Sequence, residues 1–517
     1  MTRSATMSTT SLSSKAQIEL DFFPSSPVAW KPRAKQKEAV KFLLEHAAAG
    51  LFADPGAGKT SIVFGAFKIL KKTKRASKML VVCPRRPANL VWPAEQKKWL
   101  DFAGLKVVLL HGHKKDELLT TEAMEADVLI VTPEGLDWLF DATRVKNVRG
   151  RISVKVDLKK FKKLGVDVLV VDELTKFKNS QSGRFKILKS ALHLFGRRWG
   201  LTGSPTANGL LDLFGECYIL DMGRSLGQYI SHYRTTYFTP SHDGFGWNLM
   251  EGAEERIYDR VAPLVLRIGV DDHPDMPGVL PVERWGELPP EARRIYDELE
   301  ADMFAKLGDG RKVTATTAST VSGKCQQIAA GGLYVEPDVL EMLGRHGVTP
   351  KKSNREWVNL HSEKTDMLAD LVEELQGQPL FVGYHFHHDL DRLKAKFGDD
   401  VPIIGGGTSD AESVRIEGLW NRGKLPLLLG HPQSVGHGLN LQGAGNHVAW
   451  HSMTWDYELY DQFIRRVRRL GSKHNRVFVH HLLMRNTVDE SMLWAVRGKD
   501  HAQRRFFEAL MARKKRR

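Results

Sequence analysis

The stretch Phe52-Ala53-Asp54-Pro55-Gly56-Ala57-Gly58-Lys59-Thr60 constrains this chain most. The apolar run Gly50 to Ala53 predicts a strand entering it, and the amphipathic run Ser61 to Lys72 predicts a helix leaving it. Glycines at 56 and 58 let backbone N–H groups curl toward an anion with no Cβ in the way. The N-terminus of the following helix adds partial positive charge at the same point. Strand, glycine-rich turn and helix in that order read as a phosphate-binding loop, Asp54 to Thr60. Lys59 would reach the β- and γ-phosphates of a nucleotide, and the Thr60 hydroxyl would sit on Mg²⁺. The first position is Ala53 where the strict pattern has glycine, and alanine is small enough for the turn.

A second acidic anchor lies further along. The run Val166-Asp167-Val168-Leu169-Val170-Val171 predicts a buried strand that ends in Asp172-Glu173. Carboxylates at the C-terminal end of a parallel strand lie where α/β sheets bind ligands. Asp172 would hold Mg²⁺ through its water shell, and Glu173 would orient and deprotonate an attacking water. The intervening chain predicts strands at 79–84, 105–110 and 127–131, the last running into Thr132-Pro133-Glu134. Another, Arg198 to Leu201, leads into Thr202-Gly203-Ser204-Pro205. Strands that alternate with helices in this way make a parallel, helix-covered sheet.

With 517 residues the chain has length for two to four domains, and 42% hydrophobic with 26% charged content is that of a globular protein. It holds no run of 18 apolar residues, which excludes a helical membrane span. The Ser/Thr-rich start, Met1 to Lys15, lacks the apolar centre of a secretory signal and is expected to be a disordered lead. Cys83, Cys217 and Cys325 are too scattered for a zinc site or a disulfide framework, which points to a reducing, cytoplasmic setting. His385, His387 and His388 read as part of a solvated loop. Net charge is +15 with pI about 9.5, which favours a polyanionic partner. Residues 144–163 carry nine Lys/Arg against Asp157, and residues 497–517 carry nine against Asp500 and Glu508.

Residues 226–360 change character, with Pro-rich breaks at 271–281 and 288–290, and read as a mostly helical insertion. From Pro379 the alternation resumes, with strands expected at 379–384, 402–405, 426–430, 447–450 and 476–482. This second α/β lobe has no phosphate loop of its own. It has Gly436-His437-Gly438-Leu439-Asn440-Leu441-Gln442, and then Gln462-Phe463-Ile464-Arg465-Arg466-Val467-Arg468-Arg469-Leu470-Gly471. Arg466 and Arg469 are three apart, so on a helix they share a face, and a guanidinium fork suits phosphate oxygens. They read as arginine fingers offered across a cleft.

Together these stretches resemble the superfamily 2 helicase-like ATPases, in their Swi/Snf-like branch, and look most like phage or prokaryotic DEAD/DEAH-box-type members. The resemblance covers about Trp30 to Trp494. It implies two RecA-like parallel-sheet lobes in tandem around a helical insertion. The divisions expected are 1–27 lead, 28–225 ATP-binding lobe, 226–360 insertion, 361–496 second lobe and 497–517 basic tail. It implies that Gln36 reads adenine, that Lys59, Asp172, Glu173, Arg466 and Arg469 are catalytic, and that Thr60 and Asp172 take the metal. Thr132, Thr202, Gly203, Ser204, Gly436, Gly438, Asn440 and Gln462 would couple the lobes or touch nucleic acid. The acidic box departs from the family by ending Leu174-Thr175 instead of Ala-His, which touches the coupling role of its last residue and leaves the ATP chemistry intact. Ser472 stands where the family often has Gln.

The activity implied is an ATP hydrolase that uses ATP and Mg²⁺ and acts as a DNA helicase or double-strand DNA translocase. Alternatives are an RNA helicase of the same superfamily, the motor partner of a restriction or repair nuclease, and a non-catalytic nucleic-acid-binding scaffold. Partners would be nucleic acid, DNA first, with replication, recombination or nuclease proteins, in the host cytoplasm if the gene is phage-encoded.

Overall fold

The computed structural model describes residues 27–146, 152–206, 209–241, 246–269, 275–308, 315–335, 357–435 and 438–515. The expected lead therefore lies outside the described residues apart from Pro27, and so does Gly436. No described helix is long and apolar enough to cross a membrane.

In chain order the first half contributes β1 (Ala48–Ala53), β2 (Met79–Val82), β3 (Val107–Leu109) and β4 (Val128–Val131). A hairpin of β5 (Thr143–Lys146) and β6 (Ile152–Lys155) follows, then β7 (Val168–Asp172) and β8 (Arg197–Thr202). A second hairpin, β9 (Phe238–Pro240) and β10 (Trp247–Leu249), precedes β11 (Val265–Ile268). Seven of these make one sheet in the order β11-β1-β8-β7-β2-β4-β3, parallel throughout. Runs such as Val168-Leu169-Val170-Val171 are apolar on both faces because helices cover both sides of the sheet. The order places β1, β8 and β7 side by side. Phe52 pairs with Thr202, and Asp172 with Leu201, so the three strand ends that carry the sequence motifs open onto one edge of the sheet.

The second sheet comprises β12 (Gly278–Gly286), β15 (Leu380–Gly383), β16 (Ile403–Ile404), β17 (Leu427–Gly430), β18 (His447–Trp450) and β19 (Arg476–Met484). Between β12 and β15 lie the short antiparallel strands β13 (Gly332–Tyr334) and β14 (Trp357–Asn359). The sheet order is β12-β19-β18-β15-β17-β16, again all parallel. Phe381 and Phe463 stack at 4.1 Å in its core, beside Trp420 and Trp450. The chain is thus an α/β protein of two parallel-sheet lobes in tandem.

The described residues of the span 226–360 hold the helices Ile230–Tyr237, Ala253–Val261, Pro290–Gly308 and Ala315–Ala330, as expected, and the span also gives an edge strand to each sheet. β11 completes the edge of the first sheet beside β1, and β12 forms the edge of the second beside β19. Beyond β12, helical character is confined among the described residues to Pro290–Gly308 and Ala315–Ala330, which with β13 and β14 pack a small core of Leu288, Ile295, Tyr296, Ile328 and Leu333 against Met484. The boundary expected at 496/497 also falls inside an element, since the last helix runs unbroken over Val488–Lys515.

Of the histidines expected in a solvated loop, His387 and His388 open the helix His387–Phe397, and His385 lies just before it. His388 is fully buried beside Asp389, whose carboxylate accepts hydrogen bonds from Ser452 Oγ at 2.6 Å and from the backbone N–H of Phe386 at 3.0 Å. Asp389 thereby ties the chain after β15 to the chain after β18.

Candidate active site in the cleft between the lobes

The phosphate loop follows β1 directly. Gly56 and Gly58 hold φ of 85° and 80°, a region that favours glycine. A Cβ on Gly58 would also collide with Gln36 Nε2. Gln36 is buried and braces the loop, its Nε2 donating to the Ala57 carbonyl at 3.0 Å while its Oε1 accepts from Arg33 N–H at 2.9 Å. Lys59 and Thr60 open the helix Lys59–Lys72. Lys59 Nζ donates to the Ala53 carbonyl at 2.8 Å, so its ammonium folds back over the loop. Burial lowers its pKa, against the pull of Glu173, Asp172 and Asp54. These carboxylates keep the cation beside the loop.

Asp54 has a role beyond loop position. Arg267 of β11 donates to its Oδ1 at 2.6 Å and to the Phe52 carbonyl at 3.1 Å. Arg465 of the second lobe brings Nη1 to 3.6 Å from the same Oδ1.

At the end of β7, Asp172 Oδ2 accepts a 2.9 Å hydrogen bond from Trp92 Nε1, which fixes the plane of the carboxylate. Glu173 follows with φ of 63°, a left-handed backbone that a non-glycine residue adopts at a cost of order 1 kcal/mol. Thr60 and Asp172 thus provide a hydroxyl and an oriented carboxylate near Lys59. Mg²⁺ is usually held by one or two protein oxygens together with phosphate oxygens. This donor set, with the positive-φ cradle of Gly56 and Gly58, fits a Mg²⁺–nucleotide.

The second lobe meets this edge with the helix Tyr457–Ile464 and the turn after it. Here the arginine prediction needs correction. The helix ends at Ile464, so Arg466 and Arg469 sit in a turn and do not share a helical face. The turn is held by side chains bonding back to the backbone: Arg466 Nε to the Gln462 carbonyl at 2.9 Å, and Arg469 Nε to the Arg465 carbonyl at 3.1 Å. Arg466 is buried, also donates to the Leu439 carbonyl at 3.3 Å, and feels Glu173 and Lys59 of the first lobe. Burial presses its pKa down to about 9, which leaves it cationic at neutral pH. Arg469 lies close to Arg466, and both feel Glu417 of their own lobe. Arg468 serves the chain crossing, donating to the Pro277 carbonyl at 2.8 Å.

Of the residues expected to couple the lobes or touch nucleic acid, Thr132, Thr202, Ser204 and Gln462 are buried. Thr132 is buried and its hydroxyl caps the turn at Gly135, at 3.3 Å. Thr202 is buried and its Oγ1 accepts from Ser204 N–H at 3.2 Å. Ser204 is buried with Oγ 3.5 Å from Asp461 Oδ2 of the second lobe, and Gly203 lies against Pro55 of the phosphate loop. Each of these hydroxyls has a partner inside the protein, and that of Ser204 reaches the second lobe. Gly438 packs on Arg86 and Val91 of the first lobe. Asn440 N–H donates to Glu417 Oε1 at 3.1 Å, and Glu417 Oε2 lies 3.4 Å from Arg86 Nη2. Burial pushes the Glu417 carboxyl up to about 7, with Arg86 opposing. Nearby, Asn89 Nδ2 donates to Asp410 Oδ2 at 2.7 Å, another tie between the lobes. Gln462 is buried and its Nε2 donates to Glu458 of the same helix.

Sequence reasoning missed Arg267, Arg465, Glu458 and Asp461. Only the density of arginines at 465–469 signalled any of them.

Two parallel-sheet lobes with a phosphate loop and an acidic strand end facing arginines define a two-lobed ATPase core. Residues 35–273 match the family described as SNF2-related domain. "Putative protein p41" of Acyrthosiphon pisum secondary endosymbiont phage 1 is 30% identical over 493 residues, covering 93% of this chain and 98% of that protein. The chain belongs to the SNF2-related family. Chromatin remodeling factor mit1 of Schizosaccharomyces pombe is 31% identical over 170 residues, which are 32% of this chain and 11% of that protein. The SWI2/SNF2 ATPase core of Sulfolobus solfataricus in complex with dsDNA is 22% identical with a TM-score of 0.39, covering 91% of this chain and 92% of that one. The same core solved as the "ATPase core domain" is 20% identical with a TM-score of 0.40, covering 92% and 90%.

Proposed function

We propose that this protein is a Mg²⁺-dependent ATPase that couples hydrolysis between its lobes to movement along DNA. The observation that carries the reading is one juxtaposition. The ends of β1, β8 and β7 stand together, and Arg465 and Arg466 reach their motifs from the other lobe. Lys59 leaves the Ala53 carbonyl to engage the β- and γ-phosphates, and the loop N–H groups take the remaining oxygens. Thr60 and Asp172 would hold Mg²⁺, whose charge would offset that of the phosphates. Glu173 orients the attacking water and takes its proton. Arg466 supplies positive charge where the γ-phosphoryl group builds up negative charge, an effect worth roughly 10³–10⁵ in rate. Gln36, already braced against the loop, reads the adenine edge with a donor and an acceptor.

Net charge of +15 fits a track held through its phosphates, with little dependence on base sequence. Opening and closing of the lobes would advance the protein along that track. The deciding experiment measures ATP turnover with duplex DNA, single-stranded DNA and RNA in parallel. DNA should stimulate most. Glu173→Gln should bind ATP and scarcely hydrolyse it, and Lys59→Ala should lose nucleotide affinity. Unchanged turnover in Glu173→Gln would remove the proposed base. Greater stimulation by RNA would move the protein to the RNA-dependent reading.

A further inference from the structure

Thr175 ends the acidic box, and it is buried. Its Oγ1 donates to Glu458 Oε1 of the second lobe at 2.8 Å. The same oxygen accepts from Gln462 Nε2 at 3.1 Å, one helical turn along from Glu458. Glu458 Oε2 lies 3.9 Å from Lys178 Nζ, again in the first lobe. One buried carboxylate therefore receives a hydrogen bond from each side of the cleft.

The helix that carries Glu458 is built to present it. Asp456 caps the N-terminus, accepting from Glu458 N–H at 2.9 Å. Positions 458, 461, 462 and 465 then fall on one face at i, i+3, i+4 and i+7. Asp461 meets Ser204, and Arg465 meets Asp54. Asp461 in turn holds Arg465 Nε with both oxygens at 2.8 Å. Each of the three strand-end motifs of the first lobe thus has a partner on this one face. Glu458 is the member next to the hydrolytic residues, close enough to Glu173 for the two carboxylates to repel. Burial raises the Glu458 pKa further, so its place depends on Thr175, Gln462 and Lys178.

We propose that Glu458 is a positioning residue that couples the acidic box to lobe closure, linking Thr175 of one lobe to Gln462 of the other. This rests on the ATPase reading above, but its geometry can be tested apart from hydrolysis. If the lobes separate, Thr175 loses its acceptor and Glu458 returns to water. Closure and the placement of the backbone beside Glu173 are then one event. A hydrogen bond to a charged group of this kind accounts for roughly tenfold or more in an equilibrium.

The test uses the full chain with paired spin labels at Lys41→Cys and Lys424→Cys, exposed sites on the two lobes. The native cysteines are all buried. The distance distribution is recorded with a non-hydrolysable ATP analogue and duplex DNA, and the ratio of DNA-stimulated to basal turnover is measured in parallel. Thr175→Val and Glu458→Ala should each lower the closed-to-open ratio and the stimulation ratio about tenfold, with KM for ATP moved less than about twofold. The double variant should be no worse than the poorer single one. Thr175→Ser and Glu458→Gln, which keep donor and acceptor, should restore most of both readouts. Effects that multiply in the double variant, or a Thr175→Ser no better than Thr175→Val, would overturn the proposal. If Glu458→Ala fails to fold, the Thr175 pair decides alone, and equal closed fractions in Thr175→Val and Thr175→Ser reject it. A wild type that closes without hydrolysing ATP removes the ATPase reading and leaves the coupling standing. A wild type whose distances never respond to nucleotide and DNA rejects the coupling itself.

Discussion

Arg465 Nη1 of the second lobe lies 3.6 Å from Asp54 Oδ1 in the phosphate loop of the first. Arg267 holds that same oxygen at 2.6 Å from the adjoining edge strand. A carboxylate between two guanidinium groups, all buried, joins the loop, the chain crossing and the opposite lobe in one electrostatic unit. Removing the carboxylate leaves two cations out of water, and breaking a buried pair in that way costs about 3–5 kcal/mol.

Asp54→Asn should therefore unfold at distinctly lower denaturant than wild type. Arg465→Ala leaves the Asp54–Arg267 pair intact, so it should cost under about 2 kcal/mol while turnover drops. Denaturation midpoints and ATPase rates on the same samples check the contrast, and equal destabilisation by both variants would contradict it.

The two arginines expected as fingers should behave differently. Arg466 feels Glu173 and Lys59, so Arg466→Ala should keep nucleotide affinity and lose about 10³-fold or more in stimulated turnover. Arg469 lies beside Glu417 in its own lobe, so Arg469→Lys should lose roughly tenfold. Single-turnover hydrolysis with saturating DNA separates the two, and equal losses would place both at the phosphate.

Trp92 orients Asp172 through one hydrogen bond of 2.9 Å. Trp92→Phe removes that bond and keeps an aromatic core residue. Turnover should fall about tenfold, with a stability loss of about 1–2 kcal/mol. A rise in the Mg²⁺ concentration needed for half-maximal rate would report the effect on the metal directly.

Acid should destabilise the second lobe early. Burial holds His361, His480 and His481 down to about 4, against an ordinary value of 6.5. Their folded pKa values are depressed, so the unfolded chain binds more protons between these limits. The stability they contribute is fully present above about pH 6.5 and is lost as pH falls toward 4. Melting temperatures across that window should fall as the pH is lowered. His361→Gln should flatten the pH dependence by on the order of 1 kcal/mol or more while lowering stability at neutral pH.

The basic C-terminus should help to hold the phosphates of the track. Its helix is anchored by Asp500, which accepts from Tyr457 Oη at 2.6 Å, and by Lys499 at the Trp455 carbonyl. Deleting residues 503–517 spares those anchors and removes seven Lys/Arg. DNA affinity should become less salt-dependent, the log–log slope flattening by about 0.9 for each phosphate that the shortened chain no longer neutralises. An unchanged slope would assign the segment to solubility.

Local patterns made the strands and the loop legible. Runs such as Leu80-Val81-Val82 and Leu427-Leu428-Leu429 are buried on both faces, so their apolar continuity announces them. Gly56, Gly58, Lys59 and Asp172 carry geometry or charge that such a site needs, and they fall together. β12 was hidden because it is an edge strand. It is largely exposed and carries Pro281, which an edge tolerates and a central strand does not. Arg465 and Glu458 were hidden for a different reason. Their partners, Asp54 and Thr175, lie more than 280 residues away, and only closure of the lobes brings them together. The end of the helix at Ile464 carries no glycine or proline. Backbone bonds from the arginine side chains stop it, and those follow from burial in the cleft.

β11 and β12 put the seam between the lobes at 269–277, where the family match over residues 35–273 also ends. Each lobe takes an edge strand from the stretch between 265 and 286, so a fragment ending at Met222 leaves β1 unpaired on one side, and one starting at 361 bares all nine residues of β19. Open strand edges of that kind recruit other chains. A join between Ile268 and Gly278 leaves both edge pairings, β11 on β1 and β12 on β19, whole.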